Sequence, residues 1–95
     1  MVAAPLDLVD DVRSVLTELA TQDVPVMNDR LKLHDDLGID DDLGRKALAA
    51  PFQRIARRFR DEAIVTRPEC SNLETVKDCV SLVAAKAGFE FQGEK

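Results

Sequence analysis

Two cysteines, one histidine, three serines and a run of aspartates are the residues here whose types could do chemistry. On a single helix, Cys70 and Cys79 would stand roughly 13 Å apart at a rise of about 1.5 Å per residue, beyond the reach of a disulfide. Unbridged thiols suit a reducing compartment. The spacing is not CxxC and His34 is remote in sequence, so no zinc set forms around them and both read as buried structural thiols. His34 has no serine or aspartate partner at a catalytic spacing and reads as a surface loop histidine. Ser14 and Ser81 fall on helix faces, and Ser71 at a helix cap. No constellation of nucleophile, base and oxyanion donor assembles, so the chain reads as a non-enzyme. Asp35, Asp36, Asp40, Asp41 and Asp42 are oxygen ligands of the kind that hold Ca2+ or Mg2+. Their spacing departs from the D-x-D-x-D-G loop and lacks its closing glutamate. They read as caps and solvated charges, with weak cation binding as the alternative, and no metal centre is expected.

These residues must be positioned by one small domain. The chain has 95 residues, 45% of them hydrophobic and 33% charged, with a net charge of -5. That apolar content is too high for a disordered chain of this charge. Trp and Tyr are absent and Phe occurs four times, so Leu, Val, Ile and Ala must build the core. No run approaches the ~18 apolar residues of a membrane span, and the N-terminus lacks a basic, apolar leader. The expectation is a single cytoplasmic domain over residues 1–95, ordered over about 5–88.

Residues 5–20 read as an amphipathic helix with Leu8, Val12, Val15, Leu16 and Leu19 on one face. Pro5 suits its first turn. Residues 21–40 read as a long loop anchored by Leu31, Leu33, Leu37 and Ile39. Asp40, Asp41 and Asp42 offer N-caps for a second helix, with a stripe of Leu48, Phe52, Ile55 and Phe59. Pro51 lies inside that stretch and predicts a kink, or a break and restart. Leu43 is off the stripe, exposed unless the kink brings it in. Residues 61–70 fit a short helical turn or an irregular connector. Ser71-Asn72-Leu73-Glu74 matches a capping box for a last helix to about Lys86, burying Leu73, Val76, Val80, Val83 and Ala87. Gly88 stops it, and Phe89 and Phe91 can fold back over the bundle.

The loop ends in Asp36-Leu37-Gly38-Ile39-Asp40. That run, in this order of elements, resembles the acyl carrier protein family, whose D-L-G-x-D-S-L signature opens helix II. The layout matches over residues 5–87, with weaker matches at Leu31, Phe59 and Leu73 to Val80. The resemblance implies an all-α, three- to four-helix acyl-carrier-like bundle with a long first loop. It also implies a phosphopantetheine arm on the serine of the signature. Here Asp41 stands at that position without gaps, or Asp42 if Leu43 is aligned to the family's leucine. Neither accepts the arm, so no phosphopantetheine or other cofactor is expected. A carboxylate there is closer in charge to a phosphoserine than to the serine itself.

The family's helix II is acidic and docks on basic enzyme surfaces. Residues 43–60 of this chain hold six basic residues and no acidic ones, residues 1–42 eleven acidic and three basic, and residues 61–95 seven acidic and four basic. Reversed charge on helix II disfavours the family's usual enzymes and favours an acidic protein partner. The leading expectation is a noncatalytic binding or regulatory protein, a monomer, that docks to an acyl-transfer or related enzyme through Asp42, Leu43, Arg45 and Lys46. Two alternatives stand beside it. One is a genuine carrier of lipid or polyketide metabolism with the arm attached by an unrecognised route. The other is a small helical adaptor whose basic helix binds an acidic protein or nucleic acid, although the net charge disfavours nonspecific nucleic-acid binding.

Overall fold

Leu8, Val12 and Leu16 recur at the helical period and are fully buried, which sets the inner face of helix α1, Leu6–Leu19. The computed structural model describes residues 2–24, 26–40 and 43–91. Pro5 precedes the first turn, in extended conformation, as the N-cap. Val9 joins the buried face, while Val15 is half-buried and Leu19 is exposed. The apolar stripe thus rotates toward the N-terminal side of the face read from the sequence.

The segment after α1 is a loop, as its breakers require, and its anchors hold it down. Leu33, Leu37 and Ile39 are buried and Leu31 packs half-buried against the core. The loop folds on itself: Asp36 and Leu37 donate their N–H groups to the Lys32 carbonyl, and Ile39 donates to Leu33 at 2.7 Å. Arg13 of α1 reaches Asp29 at 2.8 Å, and Asp29 is only 4% exposed. Asp29 therefore ties the middle of the loop to α1.

Helix II breaks upstream of its proline. Helix α2 spans Leu43–Lys46 and α3 spans Ala49–Arg57, with turn residues Ala47 and Leu48 between them. Pro51 lies in the first turn of α3, where its missing N–H would have no intrahelical partner in any case. Breaking before Ala49 also removes the helical turn whose carbonyl the proline ring would strike. Leu48, Phe52 and Ile55 are buried as the stripe requires. Phe59, just past α3, is half-buried and meets Phe89 edge-on at 5.6 Å between ring centroids.

Residues 61–66 form an irregular connector. Helix α4, Arg67–Ser71, follows, with Pro68 in its first turn. Glu69 Oε1 accepts hydrogen bonds from both the N–H and the hydroxyl of Thr66. Helix α5 runs Val76–Ala87 and ends at Gly88 in the left-handed region, φ +87°. Ser71 closes α4 instead of capping the last helix, and Leu73 lies buried in the connector before α5. The cap of α5 is Thr75, whose hydroxyl accepts from Asp78 N–H, while Asp78 Oδ2 accepts from Thr75 N–H. The reason is nonlocal. Lys32 and Thr75 form an antiparallel bridge, with Leu33 N–H donated to Glu74 O and Val76 N–H to Leu31 O. That pairing holds residues 74–75 extended and delays the helix. Thr75→Ala is therefore expected to cost about 1 kcal/mol, a typical cap loss. Ser71→Ala should stay within about 0.5 kcal/mol, as exposed substitutions do. Thermal melts that rank the two in the opposite order would contradict this assignment.

The cysteines sit on different helices, Cys70 on α4 and Cys79 on α5, so a spacing along one helix does not describe them. Both are free and fully buried. Lys86 of α5 and Glu69 of α4 pair at 2.7 Å and clamp these helices together. The Lys86 bond holds the Glu69 carboxyl below the usual carboxylate range, with the Thr66 bonds adding to it against partial burial.

Helix α1 packs on α5 and α3, α3 on α5, and α2 on α4. The described residues form an all-α domain with two isolated β-bridges. The second bridge pairs Ala3 with Glu90 in parallel, after Phe89 and Phe91 fold back against the core. No helix among the described residues is long and apolar enough to cross a membrane.

Candidate functional site

The run Asp36-Leu37-Gly38-Ile39-Asp40 is built as a tight bend between two buried anchors, Leu37 and Ile39. Gly38 takes φ +69°, which favours glycine, and its carbonyl accepts from Thr21 Oγ1 at 2.8 Å. Thr21 N–H reaches Leu37 O at 2.9 Å. The end of α1 thus grips the motif through two bonds from one residue. Asp40 follows, exposed, and its carbonyl accepts from Arg45 N–H at 3.1 Å. This bond turns the chain out of the motif and into α2.

Asp41 and Asp42, the two positions where a carrier's serine would fall, lie outside the described residues, as do the capping role read for them and the docking role read for Asp42. Leu43 opens α2 and is 73% exposed, which fits its place off the apolar stripe. Arg45 and Lys46 are half-buried and engaged in further contacts. The helix that carries them, α2, is a single turn packed on α4. A Cβ at Gly44 would meet Ile39 Cγ2 at 3.0 Å and Asp40 Cβ at 3.1 Å, so glycine allows α2 to close against the motif.

Beside α2 opens a cleft of about 520 Å³, walled by Lys32, His34, Asp35, Arg45 and Glu74. The cleft brings together the long loop, α2 and the approach to α5, which no local sequence pattern joined. The anchors Leu31, Leu33, Leu37 and Ile39 placed the loop on the bundle without saying which helix it meets. Around Asp35, His34 Nδ1 lies 3.4 Å away and Lys32 Nζ 4.0 Å away. Asp36 is occupied in accepting Lys32 N–H at 2.7 Å. His34 is exposed in its loop, as expected.

Ser71 Oγ donates to Arg67 O at 3.2 Å and not to an imidazole. Burial, with a smaller effect from Glu69, pushes the Cys70 thiol up to about 11. Burial also raises the Cys79 thiol, with Asp78 and Cys70 adding to it. Both thiols are protonated at neutral pH, and a thiolate is the form that attacks or ligates. Ser14 is exposed on α1, and Ser81 is half-buried on α5. Among the described residues no three His, Cys, Asp or Glu side chains are grouped to hold a metal ion.

The most concentrated charge lies one element further on. Arg54 and Arg57 lie on α3 and Arg58 is its C-cap, at i, i+3 and i+4, all exposed, and Arg60 follows. Arg58 is paired with Asp11 of α1, and Arg57 Nε donates to Ala63 O at 2.9 Å. The chain matches no family model, no curated protein and no solved structure.

Proposed function

We propose that this chain is an acyl-carrier-like protein that works without a phosphopantetheine arm, as a noncatalytic docking or regulatory partner of an acyl-transfer or related enzyme. What carries the reading is the Asp36–Asp40 run, held as a glycine bend between buried anchors and delivered into a one-turn helix that begins with an exposed leucine. A carrier presents its arm from the same place in its sequence. Here the residues at the attachment position are carboxylates, which form no phosphodiester with the arm. The surface offered for recognition here is the exposed Leu43 that opens α2, an apolar contact. Such a contact suits a protein partner better than a small substrate.

The test is intact-mass measurement after incubation with coenzyme A and a broad-specificity phosphopantetheinyl transferase. The expected outcome is an unchanged mass for the native chain. The chains bearing Asp41→Ser or Asp42→Ser are the comparison, and one of them gaining the arm would support the carrier-like placement of the loop. Stoichiometric gain by the native chain would sink the armless reading.

A further inference from the structure

We propose that the outer face of α3 is a docking surface for an acidic amphipathic segment of a partner protein. The proposal deepens the docking reading by naming the partner's chemistry, and it uses a face separate from Leu43.

Arg54, Arg57 and Arg60 have no carboxylate partner among the described residues, although the chain as a whole is acidic. Of the four arginines, Arg58 alone is answered by a carboxylate among the described residues, Asp11. That one pair shows the fit of a carboxylate to this row. Arg54 and Arg57 stand one turn apart on α3, so a partner helix with Glu or Asp at the same spacing meets both, beside the Arg58 that Asp11 already answers. Arg57 is also preorganised, because its Nε bond to Ala63 O fixes the guanidinium before any partner arrives.

The charges are flanked by apolar surface. A groove of about 260 Å³ between α1 and α3 has Val15, Pro51 and Ile55 in its floor and Arg54 and Arg58 on its rim. On the other side of the row, Ile64 is 57% exposed, next to the residue whose carbonyl holds Arg57. An acidic amphipathic segment matches both features, carboxylates over the arginines and apolar side chains against the groove or Ile64.

The margins favour such a segment over nucleic acid. Asp11 and Glu18 line the α1 side of the groove, and Asp61 and Glu62 are exposed just beyond Arg60. A phosphate backbone carries charge continuously and would run into these carboxylates, whereas a short acidic segment ends within the cationic strip.

The experiment is fluorescence anisotropy with a labelled peptide carrying Glu at i, i+3 and i+4 and Leu on the adjoining face. A single-stranded oligonucleotide of matched charge is titrated in parallel. Binding of the peptide should weaken with added salt, and Arg54→Glu and Arg57→Glu should each weaken it about tenfold. Lys77→Glu, an exposed change on α5, should leave it within about threefold. The proposal fails if the native chain does not bind the peptide, if Lys77→Glu matches the arginine variants, or if the oligonucleotide binds more tightly. Loss on Leu43→Asp with retention in both arginine variants would overturn this surface while leaving the armless carrier-like reading intact. A mass gain with coenzyme A would do the reverse.

Discussion

Replacing Asp29 with alanine should lower the unfolding free energy by about 3 kcal/mol, at the lower end for a broken buried ion pair. Asp29 is 4% exposed and its partner Arg13 is 24% exposed, so the vacated guanidinium keeps some access to water and the loss stays below the upper end. The carboxylate holds α1 through Arg13 at 2.8 Å, and the backbone of the same residue accepts Lys77 N–H from α5 at 3.1 Å. Removing the side chain therefore loosens a segment that links two packed helices. For a domain of this size about 3 kcal/mol corresponds to a fall in Tm of roughly 12–24 °C. Replacing both residues with apolar ones of similar volume, Arg13→Met with Asp29→Leu, should recover most of the loss, because no charge is then left unpaired. A single variant that melts within a few degrees of the native chain would show that the pair does not hold the loop.

The second large effect is expected at Gly38. Gly38→Ala should cost about 2–3 kcal/mol: a left-handed alanine carries about 1–2 kcal/mol of strain, and a displaced hydrogen bond adds about 1 kcal/mol. The new Cβ would fall on Thr21 Oγ1, the atom that bonds Gly38 O, so the methyl group and that hydrogen bond cannot coexist. Gly88 supplies the control. It too is left-handed, at φ +87°, but a Cβ there meets nothing within 4 Å. Gly88→Ala should cost only the conformational strain. Urea melts of both variants check this, and equal losses at the two glycines would show that the grip of Thr21 on the motif adds nothing. In a Thr21→Ala background the Gly38 substitution should become cheaper, since the clash is removed with the hydroxyl.

What the sequence made legible follows from how far apart the deciding residues are. Local periodicity carried Leu8, Val12 and Leu16 into the core of α1 and Leu48, Phe52 and Ile55 into that of α3. Gly88 ended α5 where its type suggested. The capping of α5 was misplaced because three acidic-box patterns compete, beginning at Thr66, Ser71 and Thr75. The choice among them is made by the bridge from Lys32, forty-odd residues upstream. Pro51 announced a break, but its place was set by the turn that precedes the proline.

The candidate site divides in the same way. The place of Leu43 off the apolar stripe followed from local pattern, and its exposure is one of the two outcomes that pattern allowed. The half-burial of Arg45 and Lys46 did not follow from it, because α2 turns only once and packs on α4. Asp29 was missed as a tether since its partner lies sixteen residues away, and nothing in a breaker-rich loop distinguishes one aspartate from another.

The packing of α1 on α5 also bears on how the chain acquires its shape. Helix α1 makes its largest contact with α5, and Ala3 pairs with Glu90, so these contacts join residues separated by most of the described chain. Such a high contact order slows folding relative to bundles closed by adjacent helices. Until those distant segments meet, α1 lacks its main packing surface, and the exposed Asp7, Asp10 and Glu18 keep it solvated.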